Sequence, residues 1–176
     1  MDFSPSCEAL APYVAGLARQ FNARVTLLHV LATGSLEGDF DRFAHHFGTL
    51  AEEVQGLLER WQAPVFAGLE PDREFKTGRP VAEIVACAEG LGAELITMPT
   101  HGRGRFRTLL LGSVTAGVLH DTASAVLTAV HAETPGTLRL PRVVVCATDL
   151  GPESAATLDM ADHFALHCGA KLHVIH

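Results

Sequence analysis

The chain has 176 residues, 48% apolar and 19% charged, enough for one sizeable core and too few for two complete α/β domains. Its 20 Asp and Glu against 13 Lys and Arg give a formal charge of −7, which argues against nucleic acid as the main partner, because counterion release needs clustered cations. No apolar run reaches the length of about 18 residues that a membrane span needs, and MDFSPSCEAL has neither a basic start nor an apolar stretch. The expectation is a cytoplasmic protein with no membrane contact.

In chain order, Ser4-Pro5-Ser6 precedes an amphipathic helix over Glu8–Phe21, with Ala9, Leu10, Tyr13, Val14, Leu17 and Ala18 at helical spacing. Arg24–Leu31 (RVTLLHVL) reads as a strand apolar enough to be buried on both faces of a parallel sheet. A long helix over Phe40–Trp61 follows, then a short strand over Arg73–Lys76 and the turn Thr77-Gly78-Arg79-Pro80. The helix Val81–Leu91 stops at Gly92. After it come the strand Ala93–Met98, the loop Pro99-Thr100-His101-Gly102-Arg103-Gly104, the helix Ser113–His120 and the strand Ala125–Val130. A further strand, Arg142–Ala147 (RVVVCA), precedes a helix over Glu153–Cys168. Alternation of helix and strand over this length implies an α/β fold with a parallel sheet.

An offset of 147 positions lays residues 148–176 on residues 1–29 without a gap. Asp2 meets Asp149, Pro5 meets Pro152, Ala18 meets Ala165 and His29 meets His176, and the apolar patterns stay in phase. The second copy is preceded by RVVVCA, whereas the first begins at Met1, and the second stops within its second strand. The expected organisation is therefore 1–139 as an α/β domain lacking its first strand and 140–176 as the first β-α-β segment of a second, truncated copy. RVVVCA could fill the missing place within the chain or by exchange between two chains, or the protein could be longer at both ends.

Cys7, Cys87, Cys146 and Cys168 are far apart and lack a CxxC spacing, so four reduced structural thiols are expected. His163 and His167 are four apart, which could set two ligands on one helix face, but no third ligand is apparent and no metal site is expected. No Ser-His-Asp set, paired carboxylates or catalytic base beside the glycine loop stands out, and FSPSCE lacks the H-x-G-H cluster of adenylyl-transferring enzymes.

Asp2-Phe3-Ser4, Leu27-Leu28-His29-Val30 and the spacing Gly102-x9-Gly112-Ser113 within THGRGRFRTLLLGSVTAGVL together resemble the universal stress protein family. The resemblance covers residues 1 to about 131 and resumes over 142–176. It implies a Rossmann-like parallel sheet of order 3-2-1-4-5 with helices on both faces, and an ATP site with Asp2 and Val30 around adenine and ribose and Gly102, Gly112 and Ser113 around the phosphates. It also implies a homodimer or a tandem pseudo-dimer. Glycines let backbone N–H groups approach phosphate, and a helix N-terminus favours an anion. Arg103 offers planar donors to a phosphate, whereas Arg105 and Arg107 read better as solvated charges. Pro99 stands where the motif has its first glycine and has no N–H to donate. Two functions follow: an adenine-nucleotide-binding stress-response domain that acts by binding and partner contacts without catalysis, or a non-nucleotide dimerisation module with a degenerate pocket. A third, slow ATP hydrolysis, needs a positioned water and Mg²⁺, for which no residue is an evident ligand.

Overall fold

The corner at the start of the chain fixes the first element. Ser4 is extended (φ −79°, ψ 160°), its hydroxyl accepts from the Cys7 N–H at 3.3 Å, and Pro5 takes the first helical position, where a missing N–H costs nothing. Helix α1 (Pro5–Phe21) therefore begins three residues before the Glu8 expected from apolar spacing. Asn22, left-handed at φ 50°, ends it and returns its N–H to the carbonyls of Ala18 and Arg19.

The computed structural model describes residues 1–33, 40–100, 111–129, 140–152 and 154–176. The strands are β1 (Thr26–Ala32), β2 (Asp72–Gly78), β3 (Leu95–Pro99), β4 (Ala125–Ala129), β5 (Val143–Ala147) and β6 (Lys171–Ile175). The remaining helices are α2 (Phe40–Arg60), α3 (Pro80–Leu91), α4 (Ser113–Asp121) and α5 (Ser154–Cys168). All pairings are parallel: β1 with β2 from Thr26 opposite Asp72, β3 with β4 from Leu95 opposite Ala125, and β5 with β6 from Val143 opposite Lys171. This is the expected α/β class. The β1–β2 and β3–β4 ladders correspond to the 3-2 and 4-5 flanks of the 3-2-1-4-5 order. Among the described residues no ladder joins β1 to β3.

RVVVCA does not occupy the space between them within this chain. β5 is hydrogen-bonded to β6 in a ladder of its own, and α5 packs beside α1 instead of taking its place. Expected burial of β1 on both faces is also only partly met: Leu27 is buried, while His29, Val30 and Leu31 are half-buried.

Period-two alternation sends Leu27 and His29 toward α1 and the end of α2, where Cys7, Ala11, Ala15, Ala18, Leu58, Trp61 and Phe66 form the main core. Small residues on α1 permit the close approach, and Leu58 and Phe66 fill what remains at 1% and 2% exposure. The Arg19 guanidinium donates to the carbonyls of Val65 (3.0 Å) and Ala67 (3.1 Å), tying α1 to the turns after α2, and Arg73 donates to those of Leu58 and Trp61. α3 touches β1 and β2 and packs along α4. No described helix is long and apolar enough to cross a membrane.

The 147-residue offset recurs in the hydrogen bonding. Met1 N–H donates to the Leu28 carbonyl and Thr148 N–H to that of Ile175, while Ala23 N–H bonds Ala18 at 2.9 Å and Ala170 N–H bonds Ala165 at 2.8 Å.

The α3–α4 contact gives a test of packing. A Cβ at Gly117 would lie 2.7 Å from Val81 Cγ2, whereas one at Gly90 meets nothing within 4 Å. Gly117→Ala is expected to destabilise by about 1–3 kcal/mol and Gly90→Ala to stabilise by about 0.5–1 kcal/mol. Urea denaturation of the two variants reads both signs.

Candidate functional site

Asp2 sits in the corner that leads into α1. Its Oδ1 accepts the Ser4 N–H at 3.1 Å and the Cys7 S–H at 3.1 Å, and Phe3 between them is left-handed at φ 55°. That backbone turn carries the Phe3 ring onto His29, with centroids 4.8 Å apart and planes at 27°, and edge-on to Trp61 at 6.5 Å. His29 stacks in turn on Phe75, its partner in the β1–β2 register, at 6.0 Å. The His29 Nδ1 faces the Met1 carbonyl at 2.8 Å, and since a carbonyl only accepts, Nδ1 carries the proton. Met1 is bonded to Leu28, two residues before Val30, so Asp2 and Val30 lie at the same end of β1. Both are half-buried.

The second group lies where β3 leads to α4. Gly112 caps α4 in extended conformation (φ −71°, ψ 151°), its carbonyl accepts the Ala116 N–H at 2.9 Å, and it offers no side chain to the first turn. Its own N–H donates to the Thr100 carbonyl at 2.7 Å, and Thr115 Oγ1 donates to the Pro99 carbonyl at 3.1 Å. The end of β3 is thereby clamped to the start of α4. The expected donation from Gly112 N–H to a phosphate does not fit this geometry, because that proton is already bonded. Ser113 is exposed at the helix start, where the leading N–H groups have no acceptor inside the helix. Gly102 and Arg103, with His101, Arg105 and Arg107, lie outside the described residues.

Two features went unread in the sequence. His29 and Phe3 form a ring stack beside Asp2; the L-L-H-V strand contained the histidine but gave no hint of its partner. The Asp2 corner also has a counterpart: Asp149 Oδ1 accepts the Gly151 N–H at 2.8 Å and the Ser154 hydroxyl at 3.2 Å, with Leu150 left-handed at φ 59°. These bonds, the Gly151 N–H first, hold the exposed Asp149 carboxyl below the usual carboxylate range. The pairing of Asp2 with Asp149 in the offset alignment was the available signal.

Burial, the largest effect, pushes the Cys7 thiol up, so it persists as a donor to Asp2 and is a poor nucleophile. All four cysteines are free, with Cys7 and Cys146 buried and Cys87 and Cys168 half-buried. Iodoacetamide at pH 8 is expected to label Cys87 and Cys168 in the native chain well before Cys7 and Cys146, as mapped by peptide mass spectrometry.

Comparison with known proteins bears on this arrangement. The model of the universal stress protein family matches residues 1–129. A universal stress protein of Synechocystis is 33% identical over 127 residues, which are 72% of this chain and 39% of that protein. One of Methanocaldococcus jannaschii is 27% identical over 143 residues, 72% of this chain and 88% of that protein. The crystal structure of a universal stress protein from Archaeoglobus fulgidus superposes with a TM-score of 0.74 at 27% identity, covering 100% of this chain and 64% of that one. The chain thus spans well under two thirds of the Synechocystis relative and just under two thirds of the Archaeoglobus structure. With its parallel strands, its Asp2 corner and its glycine-capped α4, the chain belongs to the universal stress protein family.

Proposed function

We propose that this chain binds an adenine nucleotide of the ATP class and acts through that binding and partner contacts, without turnover. The observation that carries the reading is the start of α4. α1 begins with a Ser4 side-chain cap and has Glu8 in its first turn, and α3 has Glu83 in its first turn, so each supplies its own acceptor or negative charge. α4 has neither a side-chain cap nor an acidic residue there. Its unpaired N–H groups and dipole favour an external anion, and the exposed Ser113 hydroxyl adds a donor. In this reading Ser113 meets phosphate, Asp2 and Val30 meet the nucleoside, and Gly102 and Arg103 of the intervening loop complete the phosphate contacts. Gly112 contributes by leaving the cap position without a competing side chain.

The second reading, an interaction module without nucleotide, is favoured by the Gly112 N–H being taken by Thr100 and by Pro99 in place of the motif's first glycine. Half-exposed Val143 and Val145 on β5 offer it apolar surface. In either reading residues 1–139 form one unit and 140–176 a further β-α-β segment, a tandem relation supported by their shared hydrogen bonds.

Titration calorimetry with ATP separates the two. The nucleotide reading expects one ATP per chain, with Ser113→Ala and Asp2→Asn each weakening it about tenfold, equivalent to about 1.4 kcal/mol. Phosphate release should not exceed that of Ser113→Ala. Absence of ATP binding, together with a dimer that survives dilution, would establish the interaction module instead.

A further inference from the structure

Away from the glycine-capped end of α4, the last two turns of α5 meet the end of α1. The Gln20 amide donates to the His167 carbonyl at 2.6 Å, and the Phe21 ring stacks on Phe164 (5.6 Å, 22°) and on His167 (4.9 Å, 19°). His163, one turn earlier, brings its ring centroid to 4.2 Å from that of His167 at an interplanar angle of 43°. The His167 Nδ1 lies 2.9 Å from the His163 carbonyl. A carbonyl can only accept, so Nδ1 holds the proton, and the neutral ring carries its lone pair on Nε2. Metal-ligating histidines have this arrangement: the second ring nitrogen donates to a carbonyl and thereby fixes tautomer and orientation. Stacking on Phe21 further restricts the His167 ring. Among the described residues, the His163 ring makes no hydrogen bond.

From this geometry we infer that His163 and His167 form a two-ligand site for a divalent transition-metal ion, with water completing the coordination. With metal–nitrogen bonds of about 2.1 Å, two imidazoles on one ion have centroids roughly 4.6 Å apart at a right-angled ligand pair and roughly 5.3 Å at a tetrahedral one. The observed 4.2 Å is nearer the first. The site therefore suits ions of tetragonal preference, the Ni²⁺ and Cu²⁺ class. No group of three or more His, Cys, Asp or Glu side chains suited to a metal occurs among the described residues, so the ion is held by this pair alone and exchanges readily. Because the His167 ring and carbonyl are both engaged by α1, an ion fixed there strengthens the α1–α5 seam.

Ni²⁺ is the probe, since it shares the geometry and does not oxidise the four thiols. Calorimetry should find one Ni²⁺ per chain, and a concentration tenfold above the dissociation constant should raise the melting midpoint by roughly 3–6 °C. His163→Gln should weaken binding at least about tenfold, the loss of one of two ligands. His167→Phe should do the same while keeping the stack on Phe21 and hence the fold, which circular dichroism verifies. His173→Gln should leave binding unchanged. Absence of Ni²⁺ binding, or binding that survives either His163→Gln or His167→Phe, would overturn the assignment.

Discussion

A carboxylate oxygen that receives two donors from the residues just after it sets the corner on which the first unit is built. With Asp2 Oδ1 holding the Ser4 N–H and the Cys7 thiol, the Ser4 hydroxyl is left to cap α1, and the helix starts at Pro5. Phe3 must then adopt a left-handed backbone, which costs a non-glycine residue on the order of 1–2 kcal/mol. Its stack on His29 and edge contact with Trp61 offset this cost. At Asp149 the same corner recurs with a Ser154 hydroxyl in place of the thiol. The side chain at the strained position differs in its surroundings: Phe3 is half-buried, whereas Leu150 is 70% exposed. The turn is therefore held by the carboxylate, and ring packing is an addition made in the first copy.

Period and punctuation made the alternation of helix and strand readable, because α1, α3 and α4 are each bounded by Ser, Pro or Gly in positions those residues favour. Boundaries slipped where a cap outranked apolar spacing, as at Ser4. The residues of the candidate site came from a resemblance, and their bonds from the structure. The grouping of Asp2, Val30, Gly112 and Ser113 is what the family resemblance implies. That Gly112 spends its N–H on Thr100, and that the Pro99 carbonyl is held by Thr115, depends on how β3 enters α4, which no linear pattern encodes. The Phe3–His29–Phe75 stack was hidden for a similar reason: it needs the β1–β2 register to bring His29 opposite Phe75.

The α1–α5 seam has a property that a chance contact between two helices would lack. Gln20 and His167, which touch, are 147 positions apart and so occupy the same place in the two copies. Phe21 meets Phe164 and His167, the counterparts of Leu17 and Gln20. A contact in which like positions meet is what a twofold relation generates. The Gln20–His167 contact is of this kind.

That seam is not chemically symmetric, and the asymmetry follows from sequence. Where α1 has Gly16 and Gln20, α5 has His163 and His167, so only one side of the pseudo-twofold presents imidazoles. Phe21 faces that side, whereas its counterpart is the smaller Cys168. An aromatic ring large enough to cover two imidazoles is thus set opposite the helix of this pair that has them. The imidazole nitrogens at this seam therefore come from α5 alone, so a change in their ligation acts directly on how α1 and α5 are held together.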